Sequence, residues 1–411
     1  MEEWKEYKLG DLINISSGFA YKGEFIGNGE NYLLGMGCVS FRDTFLVSGI
    51  RPYSGDAPDR YLAYSGDIVL ATRQQSDNLP ILGMPAIIPK KYDGHKMIIG
   101  ANLYKVQNNS DFSNEYIYWL MKSPAYVHHI KSCQTGTTVR MITKANIEDF
   151  TFLAPKKETR DKIAQFFWNI ENKIELNRRI NENLEQQAQA LFKSWFVDFE
   201  PFKDGKFVDS ELGMIPEGWK VGTLDEVGEI VGGGTPSKSE PLFYCDNGIS
   251  WITPKDLSIN QSKYISKGKI DITEIGYKNS SAKKIPAGSV LFSSRAPIGY
   301  IAIASNEVTT NQGFKSVIPQ KAGTCFIYLF LKYNTEYIES QATGSTFKEV
   351  SGSLMKSQKL IIPTQYILDE FEYKLGPIFS MQYNLESENH RLIQIIDTLL
   401  PKLMSDTFQI C

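Results

Sequence analysis

The chain has 411 residues, of which 42% are hydrophobic and 22% charged, and its formal net charge is -3 at pH 7. This composition is typical of a folded soluble protein of roughly two or three domains, and no apolar run approaches the roughly 18 residues of a membrane span. The charged start of the chain does not resemble a signal peptide, so we expect a cytoplasmic protein.

Short β-rich runs separated by turn residues occupy the first part of the chain, residues 7–152. We predict strands at 67–72, 84–88 and 103–106 and a helix at 114–121. Arg73, Gln74 and Gln75 follow the first of these strands directly. Because Arg can bond bidentately to guanine and Gln to adenine in the major groove, this strand end is a candidate site for base recognition.

A hydroxyl-rich turn and a proline close this region. Thr137 and Thr138 lead to Arg140, a combination that suits contacts to a DNA backbone, although a plain turn before the final strand explains it equally well. Pro155 then precedes apolar residues spaced for a helix, which we place from about residue 161 to 199, about 58 Å long at about 1.5 Å per residue. Its predicted packing positions are Ile163, Phe167, Ile170, Ile174, Leu184 and Leu191.

The rest of the chain repeats this organisation. Trp4-Lys5 returns as Trp219-Lys220 at an offset of 215, "GDIVLATR" returns as "GSVLFSSR" at 222, and the Thr-Gly turn and Pro155 return at 208. Arg295 takes the place of Arg73. Offsets that drift while the order is kept indicate loops of changed length around one scaffold. Strands are predicted at 289–293, 300–304 and 315–318, with a helix at 326–332.

A second long helix, from about residue 369 to 407, follows Pro363. Apolar stripes on two such helices are expected to pair with each other. We expect an antiparallel coiled coil with pseudo-twofold symmetry; parallel pairing would instead bring the two β-rich regions side by side. Asn177 and Asn181 interrupt the first stripe, and Gln382 and Asn389 interrupt the second. These residues are either buried devices that fix register or parts of an exposed polar patch. The predicted packing positions are Phe371, Ile378, Leu385, Leu392 and Leu399.

The fold class is therefore α+β, with two tandem β-rich domains that are each followed by a long helix. The predicted segments are a first domain at 1–155, a first helix at 156–200, a linker at 201–218, a second domain at 219–363 and a second helix at 364–411.

Basic residues are concentrated in the second domain. Between residues 255 and 295 eight basic and three acidic residues give a net charge of +5, which favours polyanion binding, although a solvated lysine face is an equally good explanation. Arg73 and Arg295 have a structural alternative, in which each pairs with a carboxylate. The remaining candidate contacts to the DNA backbone are Lys255, Lys263, Lys283, Lys284, Ser345, Thr346 and Lys348.

No catalytic constellation is found in the sequence. An amino-methyltransferase would need an Asn/Asp-Pro-Pro-aromatic motif and a glycine-rich loop for the methyl donor, and neither is present. The glycine-rich run 232–238 lacks phosphate-loop spacing and is interpreted as a tight turn. Five scattered cysteines form no C-x-x-C pair, and adjacent His128 and His129 are interpreted as structural, so we predict no metal site. Catalysis would need another chain.

Several segments together resemble the specificity subunit of type I restriction-modification systems, over essentially the whole chain. They are "FKSWFVDFEPF" at 192–202, "GMIPEGWK" at 213–220, "GGGTPSK" at 232–238, "ISWITPKDLS" at 249–258 and "TTNQGFKSV" at 309–317. The resemblance implies target recognition domains that each read one half of a bipartite, asymmetric site in double-stranded DNA. It also implies helices that space the domains and dock methyltransferase subunits, with restriction subunits added for cleavage.

The same resemblance implies that this chain is not an enzyme by itself. S-adenosylmethionine, ATP and Mg would bind the partner subunits. Two other hypotheses stay open: a coiled-coil scaffold without sequence-specific DNA contact, and a self-sufficient nuclease or methyltransferase, which is the weakest because no catalytic motif supports it.

Overall fold

The computed structural model describes residues 4–75, 80–344 and 348–405. The chain divides into two compact units, one made of Met1–Glu175 with His390–Cys411 and the other of Leu176–Asn389. The division falls inside both long helices, so each unit contains one β-rich domain and a part of each helix. This differs from the predicted segments, which kept each helix whole.

Two four-stranded sheets form the β-rich part of the first unit. In one, Leu103–Asn108 lies between Ile13–Ser17 and Ile68–Ala71, and Pro85–Ile87 follows on the outer side, all antiparallel. The domain is closed by its first and last strands, Lys5–Lys8 and Thr151–Ala154, which pair antiparallel. The second sheet has the order Ile50–Tyr53, Ile26–Leu34, Met97–Ile99 and Leu62–Ala63. The shorter helices are Leu9–Leu12, Asn114–Lys122, Pro124–Cys133 and Lys144–Glu148.

A five-stranded sheet forms the centre of the second unit. Its order is Gly228–Gly232, Lys315–Pro319, Val290–Ser294, Ile298–Ala304 and Tyr264–Ile265, with the last pair parallel. Lys220–Thr223 and Lys359–Ile362 pair antiparallel and close this domain in the same way as the first. The shorter strands are Phe207–Val208, Ile215–Pro216, Tyr244–Cys245, Trp251–Ile252, Asp271–Ile272 and Thr309–Thr310, and the shorter helices are Pro254–Ile259, Glu274–Lys278, Thr324–Ser340 and Gly352–Lys356.

The structure confirms the repeat and the α+β class. Ile13–Ser17 and Gly228–Gly232 are equivalent strands whose ends differ by the same 215 residues as the sequence match. The central strands Ile68–Ala71 and Val290–Ser294 are buried along their whole length. Continuously buried strands of this kind are expected to be runs of apolar and small residues, as these are.

The long helices span Lys157–Phe196 and Gln365–Leu403, so each begins four residues earlier than predicted. In the second unit the two helical segments are antiparallel. Asn177 donates to the side chains of Glu388 and Asn389, both at 2.8 Å, whereas Phe196, near the other end, packs against Phe371 with ring centroids 4.7 Å apart. Residues with higher numbers on the first helix therefore contact residues with lower numbers on the second.

The predicted packing positions lie on the inner faces of the helices. In the first unit, Ile163 and Phe167 share a core with Leu400 and Leu403 from the second helix. Asn177 and Gln382 are buried, which favours the register interpretation for these two, whereas Asn181 and Asn389 are half-buried. Buried predicted positions are Ile163, Phe167, Ile170, Ile174, Phe371 and Leu385, and half-buried ones are Leu184, Leu191, Ile378, Leu392 and Leu399.

Candidate nucleic-acid interface

In the first unit, a hairpin lies beside the end of the central strand. Arg73–Gln74 pairs antiparallel with Arg140–Met141, and a bridge from Thr135 to Met141 forms the base of the hairpin. The hairpin exposes Thr137 and Thr138. The predicted residues of the first copy, separated by about sixty positions in sequence, are thus brought to one edge of the domain.

Gln74 does not face solvent at this edge. It is only 6% exposed, and its side-chain oxygen accepts a hydrogen bond from the Leu82 backbone at 3.3 Å. Its role is structural, so the prediction that it reads a base is corrected. Arg73 and Gln75 are exposed and Arg140 is half-buried, so for these three contact with DNA stays a prediction.

The residue at the end of the central strand makes the same two backbone hydrogen bonds in both units, and we call this arrangement the frame. The Ser294 nitrogen donates to the Gly313 oxygen at 2.7 Å, and the Val350 nitrogen donates to the Ser294 oxygen at 2.9 Å. In the first unit, Thr72 makes the matching bonds, donating to Asn102 at 3.1 Å and accepting from Ile142 at 3.2 Å. We call each of these regions a strand-end site: Arg73, Tyr104 and Met141 with the 135–141 hairpin in the first unit, and Arg295, Lys315 and Glu349 in the second.

The side chains differ within this shared frame. Glu349 accepts from Arg295 at 3.2 Å and from Lys315 at 3.3 Å, so one carboxylate lies between two cations. Met141 stands at the position of Glu349, and Tyr104, which stands at that of Lys315, donates its hydroxyl to the Ile142 backbone oxygen at 3.2 Å. A carboxylate partner therefore exists for Arg295, but none pairs with Arg73 among the residues that the structure describes.

A glycine-rich turn extends the site in the second unit. A Cβ atom on Gly233 would lie 2.0 Å from the Asn311 oxygen, and one on Gly234 would lie 2.3 Å from the Ala282 nitrogen, so only glycine allows this approach. The Thr235 hydroxyl bonds to Gln312, the neighbour of Gly313 in the frame. No helix begins within residues 232–238, as expected for a turn and not for a phosphate loop.

The candidate lysines separate into two groups. Lys255, Lys283 and Lys348 are exposed, and Lys284 is exposed but paired with Glu307 at 3.0 Å, whose hydrogen bond and charge raise the pKa of the Lys284 ammonium. Lys263 is only 7% exposed and lies inside the second unit, so the prediction that it contacts phosphate is wrong. Ser345 and Thr346 lie outside the described residues.

Sequence reasoning missed Lys315 and Glu349. Lys315 lies in the segment "TTNQGFKSV", where a strand was predicted and its cation was not considered. Glu349 directly follows Lys348, but a carboxylate is not a donor to DNA and was therefore not among the predicted residues. The sequence does contain a signal for this residue: at the constant offset of 208, Glu349 aligns with Met141, so the two copies differ in charge at this position.

The structure adds two negative findings. In residues 4–75, 80–344 and 348–405, no cluster of His, Cys, Asp and Glu side chains is placed to hold a metal ion. His129 instead bonds through Nε2 to the Asn146 backbone oxygen at 2.7 Å. Over the same residues, no helix is long and apolar enough to cross a membrane.

Two related α+β domains, each with a strand-end site and each followed by a long helix, define a tandem-repeat protein. The family described as the type I restriction modification DNA specificity domain matches residues 1–186 and 216–372. The chain belongs to this family of type I restriction-modification specificity subunits.

Individual relatives cover most or part of the chain. The specificity subunit of the type I restriction enzyme HindI from Haemophilus influenzae is 28% identical and spans 98% of this chain and 99% of its own length. That of MjaIX from Methanocaldococcus jannaschii is 37% identical over 49% of this chain and 46% of its own. The crystal structure of the type I S subunit from M. genitalium has the same fold, with a TM-score of 0.58, 14% identity and coverage of 99% and 97%.

Proposed function

We propose that this chain is the non-catalytic DNA-recognition subunit of a type I restriction-modification complex. Each domain reads one half of a bipartite, asymmetric site, and the helices set the spacing and dock the methyltransferase subunits. The observation that supports the proposal best is the strand-end site, which keeps one backbone frame in both copies while its side chains differ. Two readers with equal frames and different side chains suit two different half-sites.

The chemistry of the two sites differs in a way that suits different targets. Arg295 and Lys315 share Glu349, so an approaching base or phosphate must compete with a carboxylate. At the first site, Arg73 is exposed beside the thioether of Met141. A guanidinium can bond bidentately to guanine, whereas apolar groups contact the thymine methyl, so the two sites should prefer different sequences.

Partner subunits supply the reaction in this proposal. Methyltransferase subunits bind S-adenosylmethionine and modify the bases, and restriction subunits use ATP and Mg when DNA is cut. The docking surface for the methyltransferase lies on the two long helices. The resemblance in sequence supports this assignment, and the helices offer exposed apolar side chains such as Leu176 and Met381. A scaffold without DNA contact remains the alternative.

The test is to reconstitute the complex from this chain and its modification subunits and to map methylated bases over random-sequence DNA. We expect two short sequence elements separated by a constant spacer, and methylation that disappears without this chain. Methylation with the same pattern in its absence would refute the proposal.

A pair of charge reversals separates recognition from scaffolding. Replacing Arg295 and Lys283 by Glu should weaken DNA binding and lower the dependence of log K on log salt by about 0.9 per lost phosphate contact. Lys206→Glu with Lys332→Glu is the matched control, because both residues are exposed lysines outside the strand-end site and the net charge is the same. Equal affinity and salt slope for the two double variants would favour the scaffold.

A further inference from the structure

A buried lysine connects the second domain to both long helices. Lys263 directly precedes the strand Tyr264–Ile265 at the edge of the five-stranded sheet. Its ammonium donates to the Glu185 carboxylate on the first helix at 3.0 Å and to the Gln382 side chain on the second at 2.8 Å. The ammonium also lies 3.3 Å from the ring centroid of Phe379.

The backbone next to Lys263 is held by the second helix as well. The carboxylate of Glu386 accepts from the backbone nitrogens of Lys263 and Tyr264, at 2.9 and 3.1 Å. The Tyr264 hydroxyl donates to the Phe379 backbone oxygen at 2.9 Å. We call Lys263, Tyr264, Glu185, Gln382 and Glu386 the lysine cluster. This two-residue segment of the domain thus makes five hydrogen bonds to four residues on the two helices.

A network of this kind is better suited to fixing geometry than to adding stability. Burial lowers the pKa of Lys263, whereas at Glu185 the Lys263 charge and several hydrogen bonds outweigh burial and lower the pKa of the carboxyl. Buried ion pairs often contribute no more to stability than apolar residues of the same size, because desolvation offsets their attraction. Their hydrogen bonds are directional, however, and permit only one arrangement.

Two acceptors of the lysine cluster are replaced at the equivalent positions of the repeat. At the constant offset of 208, Ile174 stands where the second helix has Gln382, and Arg178 stands where it has Glu386. An apolar side chain and a cation cannot accept the hydrogen bonds that Lys263 and Tyr264 donate in the second copy. The two acceptors on the second helix are therefore specific to the second copy.

We propose that Lys263 is a positioning residue, which holds the second domain at one angle on its two helical segments and thereby fixes the spacer length at which the second half-site is read. This inference rests on the proposed function. The ammonium acts from inside the unit and does not touch DNA. Loss of the cluster lets the domain tilt on the helices, so that targets with a longer or shorter spacer become acceptable.

The experiment measures methylation by the reconstituted complex on its mapped target and on targets whose spacer is one base pair longer or shorter. The variant is Lys263→Met with Glu185→Gln, which removes both charges together and keeps an acceptor for the Tyr328 hydroxyl that bonds to Glu185. The preference of wild type for the native spacer should fall about tenfold or more, since misplacement by about 1 Å can cost on the order of a hundredfold in rate.

The control is Ile252→Ala, a fully buried core residue of the second unit outside the cluster. It lowers stability without removing a bond to a helix, so the spacer preference should be unchanged. An equal loss of preference in this control, or full preference in the cluster variant, would overturn the positioning role. If the modification subunits methylated the same sites when this chain was left out, the proposed function would be overturned, and this inference with it.

Discussion

Removal of the Phe371 ring should destabilise the second unit severely. Phe371 is 0% exposed and lies near the start of the second long helix. Its ring centroid is 4.7 Å from that of Phe196 and 5.6 Å from that of Trp195, both on the first helix. Replacing a buried Phe by Ala costs about 3–5 kcal/mol, and aromatic pairs contribute about 0.5–1.5 kcal/mol each beyond the area they bury. We expect a loss of about 4 kcal/mol for Phe371→Ala.

Hydrogen exchange measured by mass spectrometry is the appropriate assay, because a chain with two compact units need not unfold in one step. At about 1.4 kcal/mol per factor of ten, core amides of the second unit should exchange on the order of a thousandfold faster. Tyr373→Ala is the matched control, since this side chain on the same helix is 83% exposed. Its effect should stay within about 0.5 kcal/mol. Exchange in Phe371→Ala that is accelerated less than about tenfold would refute the packing argument.

Three further outcomes are expected. Burial raises the pKa of the Cys38 thiol to about 12, so at pH 8 a thiol reagent should modify half-exposed Cys133 and Cys245 before Cys38, and mass spectrometry over time gives the order of modification. The pKa of Glu185 is lowered in the folded state, so the stabilisation that its carboxylate contributes is present above pH 4.5 and is lost as the pH falls through the folded value. The free energy of unfolding, measured by urea titration at several pH values, should therefore fall less steeply towards acid pH in Glu185→Gln than in wild type. Met141→Glu should place a carboxylate beside Arg73 and reduce first-half recognition, measured as methylation of mapped targets.

The parts of the fold that could be predicted are those with a local signal or a repeated one. The strand at 290–294 and its counterpart at 68–71 follow from short apolar runs bounded by turn residues, and the structure has both within one or two residues of the prediction. The long helices follow from apolar spacing that is kept at the same offset of 208. Agreement between two copies strengthens a prediction, since chance patterns do not recur in register.

The burial of Lys263 could not be predicted, because its partners are distant in sequence. A count of charges treats every lysine alike, and Glu185 and Gln382 are 78 and 119 residues away from it. The prediction for Gln74 was wrong for a similar reason, since its hydrogen bond with the Leu82 backbone depends on how the intervening segment folds back. Burial of a polar side chain is decided by such tertiary partners and not by its neighbours in the chain.

The strand-end sites suggest how a duplicated domain can change its target without losing its fold. The bonds that hold Thr72 and Ser294 in the frame come from backbone atoms, so they do not depend on which side chains stand at positions 141 and 349. A change from Met to Glu at such a half-exposed edge alters charge at the site but leaves the buried central strand untouched. Under the proposed function, recognition can therefore diverge between the two copies at little cost in stability, whereas a change inside the lysine cluster would break bonds to both helices at once.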